Sequence, residues 1–158
     1  MEMNIKGIDK EMHRKIAATL FNQTWNLIEK SRNSDENDLM ISVSQASLFH
    51  WRFAGGGDLE LSRGHWIISR VYSVLSMPES AIYHGNKCLE LCKSGNLEDF
   101  EYGFACEALA RAHYVKGELG EYDKYLKMAI SYAEKIKEQD DRKWLETNIN
   151  EIESRQKN

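Results

Sequence analysis

Apolar residues recur at steps of three and four along most of the chain, and few stretches alternate every second residue. That spacing predicts about seven helices and no sheet. The first spans about Asp9 to Ser31, with Ile16, Leu20, Leu27 and the neighbouring Ala17, Phe21 and Ile28 on one side; "SRNSDEND" breaks it. The second spans about Asp35 to Phe53, where Leu39, Val43, Ala46, His50 and Phe53 form one stripe. "AGGGD" ends it, and Asp58 is the expected N-cap of a third helix, about Leu59 to Leu75. "SMPE" reads as a capping box, with Ser76 capping and Glu79 reaching back, ahead of a fourth helix that ends near Lys93, where Gly95 is expected to turn left-handed. Asn96 starts a fifth helix to about Lys116, and "KGELGE" leads into a sixth, about Glu121 to Glu138. Asp140 opens a last helix through about Ile152, carrying Trp144, Leu145 and Ile149; the tail "ESRQKN" is polar and expected to fray.

Short turns make neighbouring helices antiparallel. The expected organisation is one domain over 1–158, with hairpins at about 9–53, 59–93 and 97–138 and a capping helix at about 140–152. Either a helical bundle or a solenoid satisfies this, and internal repetition distinguishes them. The third helix carries His65-x2-Ile68-Ser69-x2-Tyr72, followed by Ala81 and Leu89. The fifth carries Cys106-x2-Leu109-Ala110-x2-His113, followed by Tyr122, Leu126 and Ala129. Each set has a large apolar residue, then a small one, then a ring three further on.

This pattern resembles the tetratricopeptide repeat (TPR), W-x2-L-G-x2-Y followed by A-x3-F. The resemblance covers roughly residues 62–130 in two degenerate copies, with His65 and Cys106 in place of tryptophan. Gly85 stands where an aromatic residue is expected and Tyr122 where an alanine is. Ala81 and Tyr122 are 41 residues apart, against about 34 for the standard repeat. The chain also looks like uncharacterised bacterial helical-repeat proteins of this type. The resemblance implies an all-α, TPR-like right-handed α-solenoid; the alternative is an ordinary helical bundle.

Composition narrows the class. A net charge of −4 gives no whole-chain field for nucleic acid or anionic lipid. No apolar run reaches the roughly 18 residues of a membrane span, and "MEMNIKGIDKEMHRK" has no signal-peptide h-region. Three cysteines, an odd number, make no disulfide framework. A reduced cytoplasm is the expected location.

At about 100° per residue, Leu61, His65, Ile68, Tyr72 and Leu75 share one face of the third helix. Arg63, Trp66, Arg70 and Ser73 fall opposite. On the fifth helix, Ala105, Ala108, Leu109 and Ala112 face packing, while Phe104, Glu107, Arg111 and Tyr114 cluster opposite. In TPR domains the first helix of each repeat lines the concave groove, so the resemblance makes Arg63, Trp66, Arg70, Glu107, Arg111 and Tyr114 the candidate groove. Arginine forks suit carboxylate or phosphate, and aromatic rings supply rigid contact area. Structural ion pairing is the competing account, since Glu107 and Arg111 form an i,i+4 pair. If the groove account holds, Arg63→Ala with Arg70→Ala leaves the fold intact.

Other candidates carry less. Gly55–Gly57 precede a helix but follow no strand, and Asp58 repels an anion there, so the glycines read as a turn. With the bend between Gly56 and Gly57, Trp51 lies across from Ser62 and Trp66 across from Ser47. His84, Cys88 and Cys92 lie at i, i+4 and i+8, about 12 Å end to end, too far for one zinc. His50 reads as a core histidine. No nucleophile elbow or zinc-protease motif is present. The expected function is non-catalytic: a peptide or protein segment, or a small anionic ligand, held in the groove without cofactor or metal. The alternative is self-association or scaffolding, as a homodimer or through the Trp144 cap.

Overall fold

The structure is a computed structural model that describes residues 5–157. Met1–Asn4, where the expectation about a leader begins, and Asn158, the end of the tail, lie outside them. The described residues form seven helices and no strand: α1 (Lys10–Ile28), α2 (Ser34–Phe53), α3 (Asp58–Val74), α4 (Pro78–Ser94), α5 (Asp99–Lys116), α6 (Leu119–Lys135) and α7 (Gln139–Gln156).

Several starts follow from side-chain chemistry. Asp9 accepts from the Met12 amide at 2.8 Å. Asn33 accepts from the Glu36 amide and Glu36 accepts from the Asn33 amide, a complete capping box. Other ends depart from the sequence expectation. Gly57, not Asp58, is the N-cap of α3, and Glu60 accepts its amide at 3.0 Å. Ser76 does not cap α4: it takes φ 57°, Met77 is the N-cap, and Pro78 occupies the first turn. Gly95 is right-handed and Asn96 takes the left-handed turn at φ 46°. What requires glycine at 95 is space, because a Cβ there lies 2.7 Å from the Asp58 Cβ. The tail does not fray at Ile152. α7 continues to Gln156, and Tyr114 and Tyr122 donate hydroxyls to the Arg155 carbonyl and Gln156 Oε1.

Each helix packs on its sequence neighbour. In addition α1 touches α3, α3 touches α5, and α5 touches α7, whereas the even-numbered helices do not touch one another. Small residues set the close approaches. Ser69 Oγ donates to the Ala81 carbonyl at 2.8 Å, joining α3 to α4. Gly85 admits Leu109, and Gly103 admits Leu145, whose Cδ2 would overlap a Cβ placed there. Buried apolar side chains run without a break from Leu48 through Ile67, Ile68, Leu109 and Tyr122 to Leu145, Ile149 and Ile152. None of the seven helices is long and apolar enough to cross a membrane.

The indoles pack differently from the simple hairpin expectation. Ser47 turns to α1, donating to the Ala17 carbonyl. Trp51 lies under the Arg14 guanidinium. Trp66 stacks on Trp25 of α1 at 5.7 Å and meets Phe104 of α5 edge-on at 5.5 Å. A two-helix projection omits α1 and α5, which supply these partners.

Candidate functional site

The six groove candidates divide into two environments. Arg70, Glu107 and Arg111 are buried. Arg70 and Arg111 stand 41 residues apart, at equivalent places in the repeat pattern, and both reach Glu107. Arg111 donates to Glu107 Oε1 through Nε and Nη2, at 2.9 and 2.7 Å. Arg70 Nη2 approaches the same oxygen at 3.4 Å and donates to Asn148 Oδ1 of α7 at 2.6 Å. Arg111 also reaches Glu151, which holds Arg155. The Arg70 guanidinium lies 5.7 and 5.9 Å from the Trp25 and Trp66 rings.

Opposed forces set the charges. Burial works against an ionised Glu107, but Arg111 and Arg70 outweigh it and hold its pKa below the usual carboxylate value. Burial likewise opposes the Arg111 charge, and Glu107 and Glu151 overcome it. At Arg70 burial prevails and the pKa falls, though a guanidinium remains charged at neutral pH. Glu107 Oε2 and Trp66 Nε1 are buried with no partner at hydrogen-bond distance among the described residues, but the indole N–H lies near enough to the carboxylate to help hold its pKa down. α7 covers this cluster through Asn148 and Glu151, and Tyr114 is likewise engaged, with the Arg155 carbonyl.

Arg63 and Trp66 instead line an open cleft of about 590 Å³. Phe21 of α1, Leu59 and Trp66 of α3, Leu97 of the α4–α5 turn, Phe100 and Phe104 of α5 and Trp144 of α7 form its apolar wall. Phe104 meets Trp144 at 5.2 Å and Phe100 at 4.9 Å. A second hollow of about 290 Å³ shares Phe21, Leu59 and Arg63 and extends to Trp51 and Glu60. Arg63 borders both and is half-exposed, its Nε 3.1 and 3.3 Å from the two oxygens of Glu101. That bond raises the Arg63 pKa.

The cleft therefore joins two predicted residues, Arg63 and Trp66, to residues outside the predicted set: Phe21, Phe100, Trp144, Glu98 and Asp141. The signal for Phe100 was its i,i+4 spacing to Phe104 on a helix face already singled out. Trp144, a lone tryptophan on a mostly polar helix, was a second signal, and the structure leaves it 47% exposed.

The histidines join helices within hairpins. His13 and His50 approach Nδ1 to Nδ1 at 2.8 Å, and His65 and His84 at 2.9 Å. Burial is the first cause, for both His65 and His84, of a pKa pushed down to about 4; for His65 the neighbouring His84, Arg52 and Lys87 add to it. An unfolded histidine binds its proton near pH 6.5, so the unfolded state takes up protons that the fold refuses. Stability is therefore complete above about pH 6.5 and is lost as pH falls toward about 4. Urea midpoints should drop across that window by the equivalent of up to about 3 kcal/mol per histidine, less at the more exposed His84 where solvent screens the charge, and His84→Phe should flatten the drop. A pH-independent midpoint between 7 and 4.5 contradicts this.

The thiols of Cys88, Cys92 and Cys106 are buried, and burial pushes Cys106 up to about 12, far from a reactive thiolate. No group of three or more His, Cys, Asp or Glu side chains suited to a metal ion occurs among the described residues. Set against protein-family models, curated proteins and solved structures, the chain matches none.

Proposed function

We propose that the chain is a non-catalytic, TPR-like α-solenoid module that holds a peptide segment in the cleft between α1, α3, α5 and α7. The alternation of contacts supports the solenoid: odd helices form one continuous layer, and each even helix leans on its two odd neighbours. The observation that carries binding is the cleft itself. Its volume is in the range of ligand sites, and its walls are apolar and aromatic. Rigid rings with few rotamers make contact area at low entropic cost. The second hollow beyond Arg63 lengthens the surface, which suits an extended chain with two anchoring side chains.

Panning a random twelve-residue peptide display library tests this. Peptides should be enriched on the wild type and lost on Trp144→Ala, a substitution at a half-exposed side chain that leaves the fold in place. Enrichment that is absent, or equal on both proteins, overturns the proposal. Self-association is the second reading. It draws on the exposed Trp144 and Leu59 at the cleft. Sedimentation would then give a dimer that Trp144→Ala dissociates.

A further inference from the structure

The arginines of α3 and α5 suggest an anion, but each already has its counter-charge. Arg63 is held by Glu101, Arg70 by Asn148 and Glu107, and Arg111 by Glu107 and Glu151. An anion entering the cleft would have to displace Glu101 from Arg63, because no other cation lines it among the described residues. It would also pass Glu98 and Asp141. Both carboxylates line the cleft, and neither makes a hydrogen bond or ion pair through its side chain among the described residues. Asp141 acts on Arg63 only from beyond ion-pair contact. With Arg63 and Glu101 cancelling, two carboxylates stand beside five aromatic rings, those of Phe21, Trp66, Phe100, Phe104 and Trp144.

Aromatic faces are electronegative and attract cations as well as apolar groups. Carboxylates on the rim of an apolar patch select the partner's charge and raise its encounter rate. We infer that the occupant of the cleft is a basic–apolar peptide segment: an aromatic or aliphatic side chain seated among Trp66, Phe104 and Trp144, next to a lysine or arginine that meets Glu98 and Asp141. This rests on the peptide-binding proposal above and adds the sign of the partner's charge.

The display selection separates the two. Peptides enriched on the wild type and lost on Trp144→Ala should carry lysine or arginine within two positions of a tryptophan, phenylalanine or leucine. Neutral or acidic enriched peptides overturn this inference and leave peptide binding standing; no Trp144-dependent enrichment overturns both. The most enriched peptide, synthesised and titrated by fluorescence anisotropy, should lose at least tenfold in affinity to Glu98→Gln with Asp141→Asn. Its lysine-to-glutamine version should lose as much against the wild type. The double variant should have an unchanged circular dichroism spectrum, since neither side chain caps a helix. Unchanged affinity in a folded double variant overturns the inference.

Discussion

Replacing Glu107 by alanine should lower the free energy of unfolding by about 3–5 kcal/mol, the usual cost of removing one partner from a buried ion pair. Glu107 is fully buried on α5 and is the shared carboxylate of Arg70 and Arg111. Without it two guanidiniums face each other at low exposure, with Glu151 and the amide oxygen of Asn148 as their remaining acceptors. Arg70→Ala should also destabilise, because it strips a hydrogen bond from Asn148 and the cation from the Trp25 and Trp66 faces. Arg63→Ala should cost less, about 1–3 kcal/mol, because Arg63 itself is half-exposed but its loss leaves the buried Glu101 carboxylate without its partner. The buried position of Arg70 thus reverses the expectation that losing Arg63 and Arg70 together leaves the fold intact. Urea denaturation followed by circular dichroism measures all three, and an Arg63→Ala protein less stable than Arg70→Ala contradicts the assignment.

Trp66→Ala should cost about 3–5 kcal/mol, as large-to-small changes in a well-packed core do. Its indole joins three helices, stacked on Trp25 of α1, edge-on to Phe104 of α5, and beside the Arg70 guanidinium of its own α3. Truncation therefore opens a cavity between α1 and α5 and removes the aromatic cover of a buried charge. Trp66→Ala and Arg70→Ala share this contact, so a double-mutant cycle should show a coupling of about 0.5–3 kcal/mol. A cycle that closes to zero contradicts the packing of the cation on the ring. Because Trp66 both walls the cleft and supports the fold, Trp144 is the proper position for testing binding.

The helices were legible because their signals are local. Asp9 and the glycine and polar runs between apolar stripes mark where they begin or stop, while the Asn33–Glu36 capping box starts α2 at Ser34, a residue ahead of the expected Asp35. Cap identity was less legible. Ser76 has the right side chain, but its φ of 57° puts it outside the capping conformation, and Met77 takes the place. At Gly95 the glycine signal was real but its cause was tertiary, the nearness of Asp58. The projection of α3 and α5 placed Arg70, Glu107 and Arg111 on one face, and they do meet. What one helix cannot disclose is what covers that face. α7 lays Asn148 and Glu151 over the arginines, and of the expected groove Arg63 and Trp66 line the cleft. The cleft's remaining walls come from α1, the α4–α5 turn and α7, far apart in sequence and joined only by packing.

The indole N–H signals of Trp25, Trp51, Trp66 and Trp144 in a nitrogen–proton correlation spectrum offer the most direct measurement of where a partner docks. Titrated with the most enriched display peptide, the Trp144 and Trp66 signals should shift together and saturate at one affinity, along with the amides of Phe100 and Phe104. Shifts confined to the even-helix surface around Leu39, Tyr83 and Ile130, with Trp66 and Trp144 unmoved, would contradict the assignment of the cleft as the binding site.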